Sequence, residues 1–123
     1  MRCGVFTSSL LDAHFLKNYE KAMRLDLGVT VKICRLTMPY LIESKGVIVN
    51  RSSVYAKKPG VGFLLHSISK AAIDMATKRL ALEFGPKGVR VNSVNPGINK
   101  TSASQPYLED ENYLKEAKNY SVF

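Results

Sequence analysis

Tryptophan is absent from the 123 residues, and cysteine occurs only twice, at Cys3 and Cys34. Two thiols make no disulfide framework, so the chain fits a reducing compartment better than a cross-linked secreted one. No apolar run reaches the length of a membrane span, and no charged stretch followed by an apolar block opens the chain. A soluble, cytoplasmic protein is the expectation. Glycine clusters are missing as well. Without G-x-G-x-x-G or a similar pattern, there is no turn to hold a dinucleotide pyrophosphate at a helix N-terminus. Repeats and low-complexity tracts are absent, and no metal site is expected.

Acidic residues are outnumbered, ten against eighteen basic ones, and the net charge is +8. Such a balance suits phosphate-bearing partners. The basic residues are nevertheless scattered, from Lys17, Arg24, Lys32 and Arg35 to Lys57, Lys78, Arg90 and Lys115, with no run longer than two. Aromatic residues are not interleaved with them as on a base-stacking surface, which argues against nucleic acid. A cofactor-phosphate site whose other parts are missing explains part of the charge more simply. The 46% hydrophobic content excludes wholesale disorder, and the length suits one small domain.

What is present centres on residues 46–101. Val47, Ile48 and Val49 form a β-branched run before a polar turn, as in a strand buried on both faces. Pro59-Gly60 punctuates the loop that follows. From about Phe63 to Phe84 there is neither Pro nor Gly, and two apolar rows recur at helical spacing: Ile68, Ala72 and Met75, then Ile73, Ala76, Leu80 and Phe84. Gly85-Pro86 stops this helix, and Val89, Val91 and Val94 mark a second strand. The connection is long enough for a right-handed parallel crossover.

Three pieces of this stretch, IVN-x-SS at 48–53, SISKAAID at 67–74 and RVNSVNPG at 90–97 followed by Thr101, resemble the catalytic half of a classical short-chain dehydrogenase/reductase. The resemblance runs back through Leu16–Leu41 and more faintly to Met1, where Arg2-Cys3-Gly4-Val5 weakly matches the end of a cofactor-cleft strand; about twenty final residues lie outside it. It implies an α/β fold: a partial Rossmann-like, doubly wound parallel sheet, with about two parallel strands and long flanking helices. The expected organisation is one domain over 1–123, with strand end and loop at 1–15, catalytic-half elements at 16–101 and a polar tail at 102–123. The implied activity is hydride transfer between NAD or NADP and a small carbonyl or alcohol. The residues that choose between the two nucleotides, the family's glycine-rich loop and its final strand have no counterpart here, so a partial member is expected.

The family's Ser, which holds the substrate oxygen, corresponds to Ser53, and its Lys to Lys70. The Tyr that serves as general acid/base is replaced by His66, and the Asn that supports a proton-relay water by Asp26. The resemblance further implies cofactor contacts at Lys70, Pro96, Gly97 and Thr101. A phenol becomes a usable acid when a nearby ammonium lowers its pKa, but the same ammonium disfavours imidazolium. His66 and Lys70 share a helix face, so little or no catalysis is expected, with Asp26 partly offsetting Lys70 if the two are close. Taken singly, His66 reads as a helix-start residue, Ser53 as a turn residue, Lys70 as a solvated lysine and Asp26 as an exposed charge.

A second long helix is expected over about 16–42. One apolar row holds Met23, Leu27, Val31, Cys34, Met38 and Leu41, and another holds Leu25, Val29, Leu36 and Tyr40. Two rows imply two buried faces. The second needs a partner: the family resemblance implies pairing with another copy or a related subunit through helices 16–42 and 63–84, and the alternative is that it covers residues 1–13. Pro39 is expected to kink the last turn or mark its end. A noncatalytic association module is therefore the alternative function. A short helix is expected around 108–118, in the tail that carries Tyr107, Tyr113 and Tyr120.

Overall fold

The computed structural model describes residues 9–99 and 104–118. A continuous helical rod opens it: α1 spans Phe15–Ala22, a π-helical turn Met23–Gly28, and α2 Val29–Ser44. Every junction residue has right-handed helical dihedrals, so the wide turn bulges the rod without breaking it. Contrary to expectation, Pro39 neither ends α2 nor falls in its last turn. It removes one N–H, which a proline on an exposed face tolerates, and the helix continues to Ser44. Lys45 then enters the left-handed region at φ 55°, and its ammonium donates to the Lys87 carbonyl at 3.0 Å.

Strand β1 (Val47–Arg51) runs parallel to β2 (Arg90–Val94), with Val47 opposite Arg90 and Arg51 opposite Val94. Between them, a 3-10 turn at Val54–Ala56 leads to α3 (Leu64–Phe84) and a second 3-10 turn at Gly85–Lys87. This is a β-α-β crossover of the Rossmann-like α/β class. Gly88, at φ 87°, closes the return; a Cβ there would meet the Lys45 Cδ at 2.5 Å. Two short helices follow, α4 (Gln105–Leu108) and α5 (Glu111–Lys118).

Met38, Val89 and Val91 form the core, with Leu41, Ile42, Ile48, Leu80, Ala81 and Phe84 packed around it. Only one face of the sheet is covered. Val47 and Val49, expected to be buried on both sides, are 41% and 61% exposed, because α2 and α3 pack on the face of Ile48 and Val91 and no second layer lies opposite among the described residues. A β-branched run reports strand propensity whether or not its second layer is present. On the rod, Cys34 and Met38 of the first apolar row are buried, whereas Leu36 and Tyr40 of the second are each 72% exposed. No helix among the described residues is long and apolar enough to cross a membrane.

Candidate active site

Parallel strands converge on a site beyond their carboxyl ends, where successive loops leave a crevice. Ser53 lies just past β1 and Pro96-Gly97 just past β2, and the ladder carries on between them. Ser52 N donates to Val94 O at 2.8 Å, and Val54 N to Pro96 O at 3.1 Å. Ser53 is buried and extended, and its hydroxyl accepts from Tyr55 N at 3.2 Å, capping the 3-10 turn. The Ser52 hydroxyl donates to the Lys70 carbonyl at 3.1 Å, tying this turn to α3.

On α3, Lys70 is buried, with its ammonium 3.6 Å from Asp26 Oδ1. Ser69 completes the pair by donating to Asp26 Oδ2 at 2.9 Å. The π turn presents Asp26 to α3, and Thr30 donates to the Asp26 backbone carbonyl at 2.7 Å. Asp26 is thus a buried partner of Lys70, and neither residue is the solvated charge that it suggests when taken singly.

His66, one turn before Lys70, is half-buried. Burial lowers its pKa most, and the positive charges of Lys70 and Arg51 lower it further, against a smaller opposing pull from Asp26. Its Nδ1 is buried without a hydrogen-bond partner among the described residues. Thr101, Cys3 and the Arg2–Val5 stretch lie outside the described residues.

Two groups of neighbours escaped the sequence reading. Tyr55 stacks on Phe63 with ring centroids 4.7 Å apart, stands edge-on to His66 at 6.4 Å, and donates its hydroxyl to Tyr113 of α5 at 3.3 Å. Asp74 and Asn95 form a hydrogen-bonded pair at 2.8 Å behind Ser53. The signal for Asp74 was its place four residues after Lys70, on the same helix face. Beside the site, an open cavity of about 640 Å³ lies between residues 9–12 and the 59–62 loop, and Ser67, next to His66, reaches its wall.

Residues 4–112 match the family described as short chain dehydrogenase. A 3β-hydroxysteroid dehydrogenase of Eggerthella lenta is 33% identical over 109 residues, 87% of this chain and 42% of that protein. A short-chain dehydrogenase from Burkholderia cenocepacia, solved in complex with NADP, superposes with a TM-score of 0.76 at 30% identity, over 81% of this chain and 44% of that one. A gluconate 5-dehydrogenase from the same organism, solved with NADP and tartrate, superposes at 0.81 over 91% of this chain and 44% of its own; at 20% identity it speaks for the fold alone. The chain spans about two fifths of the length of the curated relatives it matches. By the family match over residues 4–112 and its 33%-identical relative, and with the parallel crossover in agreement, the chain belongs to the short-chain dehydrogenase family.

Proposed function

We propose that the chain carries the catalytic half of a cytoplasmic NAD- or NADP-dependent oxidoreductase acting on a small carbonyl or alcohol, and that His66 leaves it with little or no turnover. The observation that carries this reading is His66, held neutral by burial and by Lys70 in the position where the family has a phenol. A nicotinamide cofactor, when bound, supplies or takes up the hydride. Ser53 holds the substrate oxygen through its hydroxyl. In the oxidation direction the alcohol gives its proton to the neutral His66 imidazole as its hydride leaves. In the reduction direction His66 must first be protonated, which its lowered pKa opposes near neutrality, and an imidazole is also shorter than a phenol. Lys70 would contact the nicotinamide ribose, and Asp26 partly offsets its charge. Pro96 and Gly97 would line the nicotinamide end, the role that the family resemblance also implies for Thr101, while the open cavity would leave room for the body of a substrate. The relatives solved with NADP support the cofactor class.

A second reading rests on the helices. Leu36 and Tyr40 of α2 and Met75 of α3 expose apolar surface at 72%, 72% and 57%. Such a surface suits association with a second copy or a related subunit, and a noncatalytic module would keep only that role. Two measurements separate the readings. Titration of NADPH and NADH with the chain, followed by nucleotide fluorescence, is expected to give a saturable emission change for the oxidoreductase reading. A stable dimer in sedimentation with no nucleotide response would replace it with the association module.

A further inference from the structure

Asp74 is 9% exposed and faces the ends of both strands. Its Oδ2 accepts from Asn95 Nδ2 at 2.8 Å, and its Oδ1 from Ser93 Oγ at 3.1 Å. The same Asn95 nitrogen donates to the Ser53 carbonyl at 3.0 Å. An amide nitrogen carries two hydrogens, so both bonds form together, and the opposite orientation of the amide would set an oxygen against two acceptors. On either side of Ser53, backbone bonds already run from Ser52 to Val94 and from Val54 to Pro96. Asn95 fills the interval between them with a side chain.

We infer that Asp74 and Asn95 are a positioning pair: Asp74 orients the Asn95 amide, and Asn95 fixes the Ser53 carbonyl against the Pro96-Gly97 turn. Neither touches reacting atoms. That Ser53 holds a substrate oxygen rests on the function proposed above; the clamp does not. It sets the distance between the serine from β1 and the turn from β2, two segments that the chain joins only through the whole of α3.

The charge on Asp74 is part of the device. Burial pushes its carboxyl pKa up, but hydrogen bonds from Asn95 and Ser93, the nearby Ser52 hydroxyl and the positive charge of Lys57 outweigh this and hold it below the ordinary carboxylate value. From just past β1 the neutral Ser52 faces it, from β2 the neutral Ser93 and just past it Asn95, from the loop after Tyr55 the charged Lys57, and on its own helix Lys70 lies one turn away. The carboxylate therefore stays ionised well into acid, as an acceptor for two donors at once.

The test is amide exchange and side-chain NMR on the full chain. Asn95→Asp sets a carboxylate against both Asp74 and the Ser53 carbonyl. Exchange of the Val54 amide should rise by about tenfold or more, as expected for loss of one charge-assisted bond, while the Gly46 and Ser67 amides keep their rates. Asp74→Asn is the gentler variant, since its amide can still accept from Asn95 and donate to Ser93. It should leave Val54 exchange near wild type but abolish the acid-range shift of the Asn95 side-chain resonances seen in the wild type. An unchanged Val54 rate in Asn95→Asp, or wild-type Asn95 signals that do not move in acid, overturns the clamp. These readouts need neither cofactor nor turnover, so a failure of the oxidoreductase reading is detected separately by nucleotide titration.

Discussion

The Lys70 ammonium and the Asp26 carboxylate lie 3.6 Å apart in a pocket where both side chains are at least nine-tenths buried. Their pairing joins the π turn of the first helix to the middle of α3 and leaves His66, one turn away, beside a lysine whose charge is only partly offset. Removing one partner of such a pair strands the other in low dielectric.

Asp26→Ala should accordingly lower stability by about 3 kcal/mol, because it leaves the buried Lys70 ammonium without its counter-charge, whereas the Ser69 hydroxyl can still donate to the His66 carbonyl at 3.0 Å. Asp26→Asn should cost less, since an amide oxygen still accepts from Ser69. Urea unfolding of the two variants measures the difference, and equal losses would show that the Ser69 hydrogen bond contributes nothing beyond the carboxylate charge.

The aromatic wall gives a steric prediction. A Cβ on Gly60 would meet Tyr55 Cε1 at 2.5 Å, and that ring is held by its stack on Phe63 and its bond to Tyr113. Gly60→Ala should destabilise by about 1–3 kcal/mol, as overpacking does, and should weaken the near-ultraviolet tyrosine signal. With no tryptophan in the chain, that signal reports on tyrosines directly. An unperturbed spectrum and midpoint would show that the ring yields freely.

The lowered pKa of His66 fixes the sign of one pH dependence. Above its ordinary value of 6.5, folded and unfolded chains both hold neutral imidazole, and the contribution to stability is complete. As pH falls below 6.5 the unfolded chain binds the proton first, so stability drops until the folded pKa is passed. His66→Phe should flatten this part of the curve. The loss linked to Asp74 falls in a separate window below 3.8 and should survive in that variant. Urea midpoints across both ranges measure the two windows, and a His66→Phe curve that still falls between 6.5 and 5 contradicts the assignment.

Much of this was legible in the sequence. The unbroken helical pattern before Gly85-Pro86 and the valines on either side gave the crossover, because periodicity and punctuation are local. The covered face of the sheet was not legible, since Val47 and Val49 have the same β-branched character whether a second layer lies on them or water does. Asp26 reads as an exposed helix charge until the π turn and Lys70 are placed together in space. Asp74 and Asn95 escaped for the same reason: a carboxylate on a helix and an amide before a proline look ordinary alone, and their meaning lies in a contact spanning 21 residues.

The exposed rows on the two helices should matter to assembly. Leu36→Glu with Tyr40→Glu places charge on an apolar surface without touching Cys34 or Met38 beneath it. If copies associate through this face, sedimentation should show a shift to monomer with an unchanged urea midpoint. A monomer in the wild type would remove the association reading.

The most direct test of the central claim is steady-state reduction of a panel of small carbonyls by the wild-type chain and by His66→Tyr, with NADH and NADPH supplied in turn. General acid catalysis by a positioned side chain contributes about a hundredfold or more, so the tyrosine variant should exceed the wild type by at least that factor while the wild type stays near background. A wild type that turns over as fast as the variant, or a variant with no gain on any carbonyl, contradicts the claim that His66 is what holds this site back.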